Sequence, residues 1–285
     1  MPESTPLLSV VIPAHNEARS ITRLLSALAP PESANEPPIE VVVVCNGCTD
    51  GTADVARAHG RAVVVVESPI PSKAEALVTG DAHATAYPRI YVDADVEIDD
   101  RSVRAIADAL GGPILAAGPR RELDMTRVPW LVRWYYDVWE RLPAVQDGLF
   151  GRGVVALTEA GHDRVRRLPP MMSDDLVMSE AFDRSETAVV DGAVVRVQPP
   201  RTLSDLVTRR IRVVTGNAQA DGAGLRSAAA RTSPRDIARI VRATPAMAPK
   251  VVVFTVVTVV TRLAAARAIR RGDFSTWRRD ESSRT

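Results

Sequence analysis

The chain has 285 residues, of which 46% are hydrophobic and 25% charged, and its net charge is +1. This composition excludes a disordered chain, and two cysteines exclude a disulfide framework. The charge is unevenly distributed, because residues 201–285 carry 17 Lys and Arg against 6 Asp and Glu. A basic C-terminal part after an acidic N-terminal part predicts that the basic part binds an anionic partner: substrate phosphates, acidic lipid headgroups or the acidic part of the same chain.

Strand and helix patterns alternate through residue 118. Apolar or β-branched runs predict strands at 7–13, 39–44, 62–66, 89–92 and 114–118. Helical spacing or capping residues predict helices at 17–28, 52–59, 72–86 and 99–110. This alternation predicts an α/β fold with a mostly parallel sheet flanked by helices. Ligands bind beyond the carboxyl ends of such strands, so polar residues at those ends are candidate site residues.

Two carboxylates, Asp93 and Asp95, follow the strand at 89–92. A hard divalent cation binds through one or two carboxylates plus substrate phosphates and suits this pair; the alternative is a solvated acidic turn. Lys73 is one of only two lysines among 36 Lys and Arg residues, which reflects either chance or a functional role such as a point charge for a diphosphate. The Cys45–Cys48 spacing would suit a redox pair or half of a zinc site, but no second Cys or His pair is spaced to complete a zinc site, and neither redox nor metal chemistry is expected of these thiols.

Residues 130–219 carry a second set of candidates. An aromatic-rich helix at 130–139 either packs into the core or, with the Gly-rich loop 148–153, lines an acceptor pocket. Another helix opens at Ser173–Asp175, whose carboxylates are either catalytic or only first-turn residues of a helix capped by Ser173. The arginine-dense helix at 203–219 either clamps a diphosphate or presents a solvated basic face.

The C-terminal region ends in a long apolar segment. Small polar residues at 221–233 predict a flexible linker, and a helix follows at 249–271. Its charge-free run, Val251–Thr261, has 11 residues, too few for the roughly 20 that span a bilayer. Basic residues flank the run, so the helix is expected to pack on a partner such as a dimer mate, or to lie on a membrane surface. No secretory signal is visible, so the expected location is the cytoplasm, free or at the inner face of the cell membrane.

Five segments, in order, resemble the family 2 glycosyltransferases, inverting enzymes of the GT-A (Rossmann-like) fold, over roughly residues 7–215. They are the opening strand and turn Val10–Glu17, the second nucleotide turn Val43–Thr52, the Lys-x-x-Ala-Leu segment Lys73–Leu77, the Asp-x-Asp at Asp93–Asp95 and the late acidic pair Asp174–Asp175. Thr208–Val213 also resembles a degraded Gln-x-x-Arg-Trp helix, in which Arg212 matches the Arg and the Trp is lost. That loss argues against processive polymerisation.

The resemblance implies a role for each matching residue. The implied nucleotide-sugar contacts are Pro13, Ala14, Glu17, Asn46, Asp50, Lys73, Asp93 and Arg212. The implied metal ligands for Mg²⁺ or Mn²⁺ are Asp95 and Asp93, and the implied catalytic residues are Asp175 as general base and its neighbour Asp174. The residues expected to line the acceptor pocket are Trp130, Trp134, Phe150 and Gly151.

Together these inferences predict an inverting, metal-assisted glycosyltransferase that moves a sugar from a nucleotide-sugar donor to a small-molecule or lipid-linked hydroxyl acceptor, without a nucleic-acid partner. We expect a GT-A domain at 1–220, with a nucleotide-sugar half at about 1–120 and an acceptor half at about 121–220. A basic helical C-terminal extension would follow at 221–285.

Two alternatives are a nucleotidyltransferase on a similar sheet and a catalytically silent relative that binds a partner or membrane. The first would carry a Gly-rich loop after the first strand, where Pro13–Asn16 has no glycine. The joint presence of Asp93, Asp95 and Asp175 argues against the second.

Overall fold

The structure, a computed structural model, describes residues 7–28, 38–60, 63–169, 171 and 173–270, and the chain divides into two compact units. The first comprises residues 1–122, 152–169 and 182–197, and the second residues 123–151, 170–181 and 198–285. The strands are β1 Leu8–Ala14, β2 Ile39–Asn46, β3 Val63–Ser68, β4 Arg89–Val92, β5 Ala116–Leu123, β6 Val154–Leu157 and β7 Thr187–Val197. The α-helices are α1 Ile21–Leu28, α2 Thr52–Ala58, α3 Lys73–His83, α4 Asp100–Asp108, α5 Trp130–Trp139, α6 Pro143–Asp147, α7 Glu159–Val165, α8 Asp174–Glu180, α9 Leu203–Gly222, α10 Pro234–Ala243 and α11 Ala248–Arg270.

The first unit is built on a seven-stranded sheet in the order β3-β2-β1-β4-β6-β5-β7. Strands β3, β2, β1 and β4 are parallel, whereas β6 runs antiparallel to β4 and β5. The four valines of β2, Val41–Val44, are all buried, as expected of a strand covered on both faces. The predicted α/β fold, with a mostly parallel sheet flanked by helices, is confirmed.

Three of the departures from the sequence expectation have a visible local cause. The helix expected from Glu17 begins at Ile21, because the Glu17 amide donates to Thr52 Oγ1 at 2.8 Å and is held in the preceding turn. The sequence pattern misses β7, since Asp191-Gly192 in its middle is typical of a tight turn, yet both residues lie in a continuous strand. It also misses α10, although the capping box formed by Ser233 and Asp236 marks a helix start.

A polar network centred on Asp81 of α3 lies near the start of β4. The Asp81 carboxylate accepts hydrogen bonds from His162 Nε2 at 3.0 Å, Tyr91 Oη at 2.8 Å and Arg89 Nη1 at 3.2 Å. Burial alone would raise the pKa of Asp81, but these hydrogen bonds outweigh burial and hold the pKa below its usual value. The network therefore ties α3 and α7 to β4.

We expect Asp81→Asn to lower the free energy of unfolding at pH 7 by about 1–3 kcal/mol, because buried donors lose their charged acceptor. Since the folded-state pKa is lowered, this stabilisation is complete above the unfolded pKa of about 3.9 and is lost as the pH falls through the folded-state value. Urea unfolding at pH 7 and at about pH 2.5 should show the difference between wild type and variant shrinking in acid. An equal difference at both pH values would contradict an ionic role for Asp81.

The second unit is helical, and α5, α9, α10 and α11 contribute to one core. Buried members of this core include Val132, Tyr135, Leu206, Ile240, Phe254 and Val257. Tyr135 stacks on Phe254 with ring centroids 5.0 Å apart, and Lys250 Nζ lies 2.6 Å from Asp137 Oδ2. The helix predicted at 249–271 is therefore present as α11, with one face packed into the unit; residue 271 lies outside the described residues.

Residues 221–233, expected to form a flexible linker, are held within the second unit. The Ser227 amide donates to Glu180 Oε2 at 2.6 Å, and Arg226 Nη2 donates to Ala230 O at 2.9 Å. The expectation of a free linker is therefore wrong, because these side chains find partners inside the unit. Helices α10 and α11 pack in one core with α5 and α9. The domain boundary expected near residue 220 stays a prediction.

The outer face of α11 is apolar and exposed to solvent. Its exposed large side chains, 46–68% accessible, are Val252, Val256, Val259, Val260 and Leu263. Within the described residues, one helical segment, Pro245–Arg267, is long and apolar enough to cross a membrane by length and composition alone, with 22% of its most apolar window buried. The charge-free run alone predicted a segment too short to span a bilayer, because Lys250 and Arg262 interrupt the longer apolar segment.

Candidate active site

The loops that follow β1 and β2 are hydrogen-bonded to each other at the carboxyl ends of these strands. Asn16 has a positive φ of 54°, and its Oδ1 accepts a hydrogen bond from the Thr49 amide at 2.7 Å. In the other direction, Asp50 Oδ2 accepts one from the Ala18 amide at 3.3 Å. Asparagine tolerates this left-handed conformation better than most residues. The two loops therefore form a single connected surface.

Asn46, the last residue of β2, is buried and bridges three segments. With its amide oriented to satisfy both polar atoms, Nδ2 donates to Ala14 O at 2.7 Å and Oδ1 accepts from the Ser72 amide at 3.3 Å. The Asn46 carbonyl also lies 2.5 Å from His15 Nδ1. Three segments expected to bind the nucleotide, after β1, after β2 and before α3, therefore meet around Asn46.

Glu17 and Asp50 are both engaged within these loops. Glu17 is 5% exposed, and its Oε2 accepts a hydrogen bond from Ser20 Oγ at 2.5 Å. Burial raises the pKa of Asp50, but hydrogen bonds from the Thr52 hydroxyl and amide bring it below its usual value. Pro13 and Ala14 lie in β1, and the Ala14 side chain is buried. Nucleotide contacts by these four residues stay predictions, and Glu17 and Asp50 also have structural roles.

Cys45 and Cys48 are free thiols, of which Cys45 is the more buried. A hydrogen bond from Cys45 lowers the pKa of Cys48 to about 6, and the pKa of Cys45 is raised. Cys48 Sγ also donates to Ala14 O at 3.4 Å, so it belongs to the connection between the two loops. No cluster of three His, Cys, Asp or Glu residues arranged for a metal occurs in the described part of the chain.

Asp93 and Asp95 follow β4 and are partly exposed, whereas Ala94 between them is buried. Lys73 Nζ, in the first turn of α3, lies 2.7 Å from Asp93 Oδ1. Gly153 has a φ of 69°, and its carbonyl accepts the Asp93 amide hydrogen at 2.8 Å. A Cβ at position 153 would lie 3.3 Å from Asp93 Oδ2, so a side chain there would crowd the carboxylate. The structure therefore brings Lys73 and Gly153 against Asp93; the Gly-rich loop was the only sequence signal for Gly153.

The pair Asp93 and Asp95 fits a divalent cation that is shared with a ligand. These residues offer two carboxylates, and the described residues contain no third metal-binding side chain that would complete an all-protein site. Mg²⁺ and Mn²⁺ prefer oxygen ligands, and Mg²⁺ typically binds one or two carboxylates together with substrate phosphates. A diphosphate could therefore supply the remaining ligands.

In the second unit, Asp174 and Asp175 open α8, and backbone amides hold Asp175. Asp175 Oδ2 accepts a hydrogen bond from the Gly151 amide at 2.7 Å, and Oδ1 accepts one from the Leu176 amide at 2.8 Å. Ser173 occupies the N-cap position, but its side chain makes no capping hydrogen bond, so the expectation that Ser173 caps the helix is wrong. Asp175 and Gly151 are two predicted site residues that the structure joins directly.

The residues expected to contact the acceptor or the diphosphate differ in their surroundings. Trp130 is 59% exposed and meets Trp134 edge-on, with ring centroids 4.9 Å apart. Phe150 packs against the helical core that contains Tyr135, so part of this aromatic set is core. Arg212 is half-buried on α9. An acceptor pocket and a diphosphate contact by Arg212 stay predictions.

Known sequences match part of the chain. The sequence model described as glycosyl transferase family 2 matches residues 9–163, more than half of the chain. An uncharacterized glycosyltransferase of Mycobacterium tuberculosis is 32% identical over 144 residues, which cover 48% of this chain and 62% of that protein. The 4,4'-diaponeurosporenoate glycosyltransferase of Staphylococcus aureus is 37% identical over 93 residues, covering 31% and 24%. The chain therefore spans less than two thirds of the length of these relatives.

Solved structures share the fold at low sequence identity. A mannosyltransferase from Pyrobaculum calidifontis, in complex with GDP-Man and Mn²⁺, matches with a TM-score of 0.60 and 21% identity, covering 92% of this chain and 76% of that one. Glucosyl-3-phosphoglycerate synthase from Mycobacterium tuberculosis, in complex with Mn²⁺, UDP-Glc and phosphoglyceric acid, matches with a TM-score of 0.54 and 22% identity, covering 76% and 80%. The predicted GT-A fold is confirmed by these likenesses.

Proposed function

The chain belongs to glycosyl transferase family 2, and from this premise we propose that it transfers a sugar from a nucleotide-sugar donor to a hydroxyl acceptor, with inversion at the anomeric carbon. The observation that carries the proposal is the Lys73–Asp93 contact of 2.7 Å beside Asp95, at the carboxyl end of β4. In open α/β sheets, ligands bind at such strand ends. The nucleotide sugars and Mn²⁺ bound by the two solved relatives support the same ligand classes here.

On the donor side, we assign Asp95 and Asp93 to a Mg²⁺ or Mn²⁺ ion and Lys73 to the diphosphate. The ammonium of Lys73 offsets part of the charge of Asp93, and both carboxylates would contribute to the attraction for a cation. An incoming diphosphate would compete with Asp93 for Lys73 and draw the ammonium toward itself. A bound divalent ion would stabilise negative charge on the leaving nucleoside diphosphate. The loops joined through Asn46 would hold the nucleoside.

On the acceptor side, we assign Asp175 as the general base. The acceptor hydroxyl must lose its proton as its oxygen attacks the anomeric carbon, and attack opposite the leaving group inverts that centre. The Gly151 amide holds one oxygen of Asp175, and a carboxylate oxygen has a second lone pair for the hydroxyl proton. Asp174 is the second candidate. Trp130 and Trp134 would contact the acceptor, which would be a small molecule or a lipid-linked alcohol.

Thermal unfolding of the full chain with a panel of nucleotide sugars, including UDP-glucose and GDP-mannose, tests the proposal. We expect at least one donor to stabilise the protein in Mn²⁺, by about 2.7 kcal/mol when present at 100 times its Kd, and EDTA to remove most of this effect. Absence of stabilisation across a broad panel would overturn the proposal. Stabilisation only by a nucleoside triphosphate together with a sugar phosphate would favour the nucleotidyltransferase alternative.

We also propose that α11 brings the protein to the surface of an anionic membrane, where a lipid-linked acceptor would reside. Its exposed apolar stripe from Val252 to Leu263 is continued at helical spacing by exposed Arg267 and Arg270, and α11 contains no acidic residue. Exposed arginines of α10, in the same unit, are Arg235, Arg239 and Arg242. Each basic residue near an anionic bilayer contributes roughly 1 kcal/mol. Because the inner face of α11 packs into the protein core, we favour a helix lying on the membrane over one spanning it.

Sedimentation with anionic and with neutral liposomes tests this membrane proposal. We expect wild type to bind anionic vesicles, and Val256→Asp to weaken binding about tenfold, because a charge replaces an apolar group at the interface. Val78→Asp is the matched control, since Val78 is also exposed, 70% against 56% for Val256, but lies on α3 of the first unit. Wild type remaining in the supernatant at low salt would contradict the proposal, and a Val256-dependent dimer without lipid would assign the stripe to a second copy. A chain that ends near Ser233 is not a suitable control for this test, because it would lack Ile240 and Phe254 of the helical core.

A further inference from the structure

Gly216 lies in the interior of α9 and is buried, which is unusual for a residue that weakens helices. The structure gives a reason for glycine at this position. A Cβ at 216 would lie 2.1 Å from Ser173 Oγ, 3.1 Å from Ser173 Cβ and 3.2 Å from Ser173 N. Glycine therefore lets Ser173 pack directly against α9, whereas a Cβ at 216 would force the Ser173 hydroxyl to move and would crowd the Ser173 Cβ and backbone N.

Ser173 immediately precedes the acidic pair Asp174 and Asp175. Because its side chain makes no capping hydrogen bond and is buried, Ser173 acts as a packing contact with α9 rather than as a helix cap. The contact between Ser173 and Gly216 therefore lies at the residue immediately before α8, which begins at Asp174.

The same helix is held by the loop 148–151. The Gly151 amide donates to Asp175 Oδ2 at 2.7 Å, and the Leu149 amide donates to Ser179 Oγ at 3.0 Å. Asp175 and Ser179 are one helical turn apart and share a face of α8. Gly151 has a φ of 68°, a conformation that glycine adopts without strain. These two hydrogen bonds hold this face of α8 against the loop 148–151, and Ser173 holds the start of the helix against α9.

We propose that Gly216 is a positioning residue for the Asp175 carboxylate, acting through Ser173. This inference rests on the proposed function, in which Asp175 is the general base. A side chain at 216 would push on the Ser173 hydroxyl, Cβ and backbone N. We infer that the resulting shift of Ser173 passes to the start of α8 and to the Asp175 contact with the Gly151 amide. A base must stay within hydrogen-bond reach of the acceptor hydroxyl, and a displacement of about 1 Å can cost about 10²-fold in rate.

The test is Gly216→Ala, assayed as release of nucleoside diphosphate from UDP-glucose or GDP-mannose with Mn²⁺, whichever wild type turns over, and with water or an added alcohol as acceptor. We expect kcat per folded molecule to fall at least tenfold, while the donor KM stays within twofold. The folded fraction is measured by circular dichroism, so that a loss of stability alone leaves the corrected kcat unchanged. Gly222→Ala is the matched control, because position 222 is in the same helix with nothing within 4 Å of an added Cβ.

Rescue gives a second and independent readout. Ser173→Gly removes both side-chain atoms that crowd position 216, and glycine is tolerated at an N-cap. We expect the double variant Gly216→Ala with Ser173→Gly to recover to within about threefold of Ser173→Gly alone. A corrected kcat within twofold of wild type for Gly216→Ala, or failure of this rescue, would overturn the inference.

Asp175→Asn, assayed in parallel, separates this inference from the proposed function. Loss of turnover in Asp175→Asn but not in Gly216→Ala overturns only the positioning role. Full turnover in Asp175→Asn overturns the base assignment, and with it any positioning of Asp175 as a base. Loss of turnover in both variants, with rescue in the double variant, supports the two together.

Discussion

Replacement of Asp95 by alanine is expected to abolish sugar transfer and to weaken Mn²⁺-dependent binding of a nucleoside diphosphate at least tenfold. Asp93 and Asp95 are the two carboxylates assigned to the cation, so removing Asp95 takes away one of its two protein ligands. Without the cation, the negative charge of the diphosphate would be repelled by the remaining carboxylate of the site. The expected tenfold weakening corresponds to about 1.4 kcal/mol of binding free energy.

Calorimetric titration with UDP or GDP, in Mn²⁺ and in EDTA, measures this effect without relying on activity. The matched control is Asp108→Ala, since Asp108 is an exposed carboxylate at the end of α4 in the same unit. We expect the control to bind the diphosphate as wild type does. If wild type binds the diphosphate equally well in Mn²⁺ and in EDTA, the metal assignment is wrong.

Asp175→Asn is expected to keep donor binding but to reduce turnover at least 10²-fold, within the usual range for a general base. The amide oxygen of asparagine can still accept the Gly151 hydrogen bond, which holds Asp175 at 2.7 Å, so the local geometry is retained. The amide group cannot take up the hydroxyl proton at neutral pH. The variant therefore separates the chemical role of Asp175 from its structural role.

Turnover at saturating donor, measured for Asp175→Asn and Asp174→Asn side by side, checks this prediction. We expect Asp174→Asn to lose much less, because Asp174 is the adjacent carboxylate and not the assigned base. Near-normal turnover in Asp175→Asn together with a large loss in Asp174→Asn would transfer the base role to Asp174.

The positions of the first four strands along the chain and the acidic strand end could be predicted from the sequence, because both depend on local patterns. A continuous Val41–Val44 run marks a strand buried on both faces, and Asp93 stands directly where the buried β4 ends. The helix at 248–270 was likewise visible from its apolar length. Such features need only neighbouring residues, which the sequence supplies.

The contacts that organise the candidate site could not be predicted, because they join residues far apart in the chain. Asn46 links Ala14 to Ser72 through its side-chain amide, and Gly216 is required by Ser173, 43 positions earlier. Neither residue has a neighbourhood that signals its role. Strand β7 was hidden for a different reason, since Asp191-Gly192 is typical of a turn although the strand continues through it.

The most direct test of the central claim is the release of nucleoside diphosphate from nucleotide sugars by wild type and by Asp95→Ala, each with Mn²⁺ and with EDTA. We predict release by wild type from at least one donor in Mn²⁺, with almost none in EDTA and almost none by Asp95→Ala under either condition. Release by Asp95→Ala at the wild-type rate, or no release from any donor that stabilises the wild-type protein, would contradict metal-assisted sugar transfer at this site.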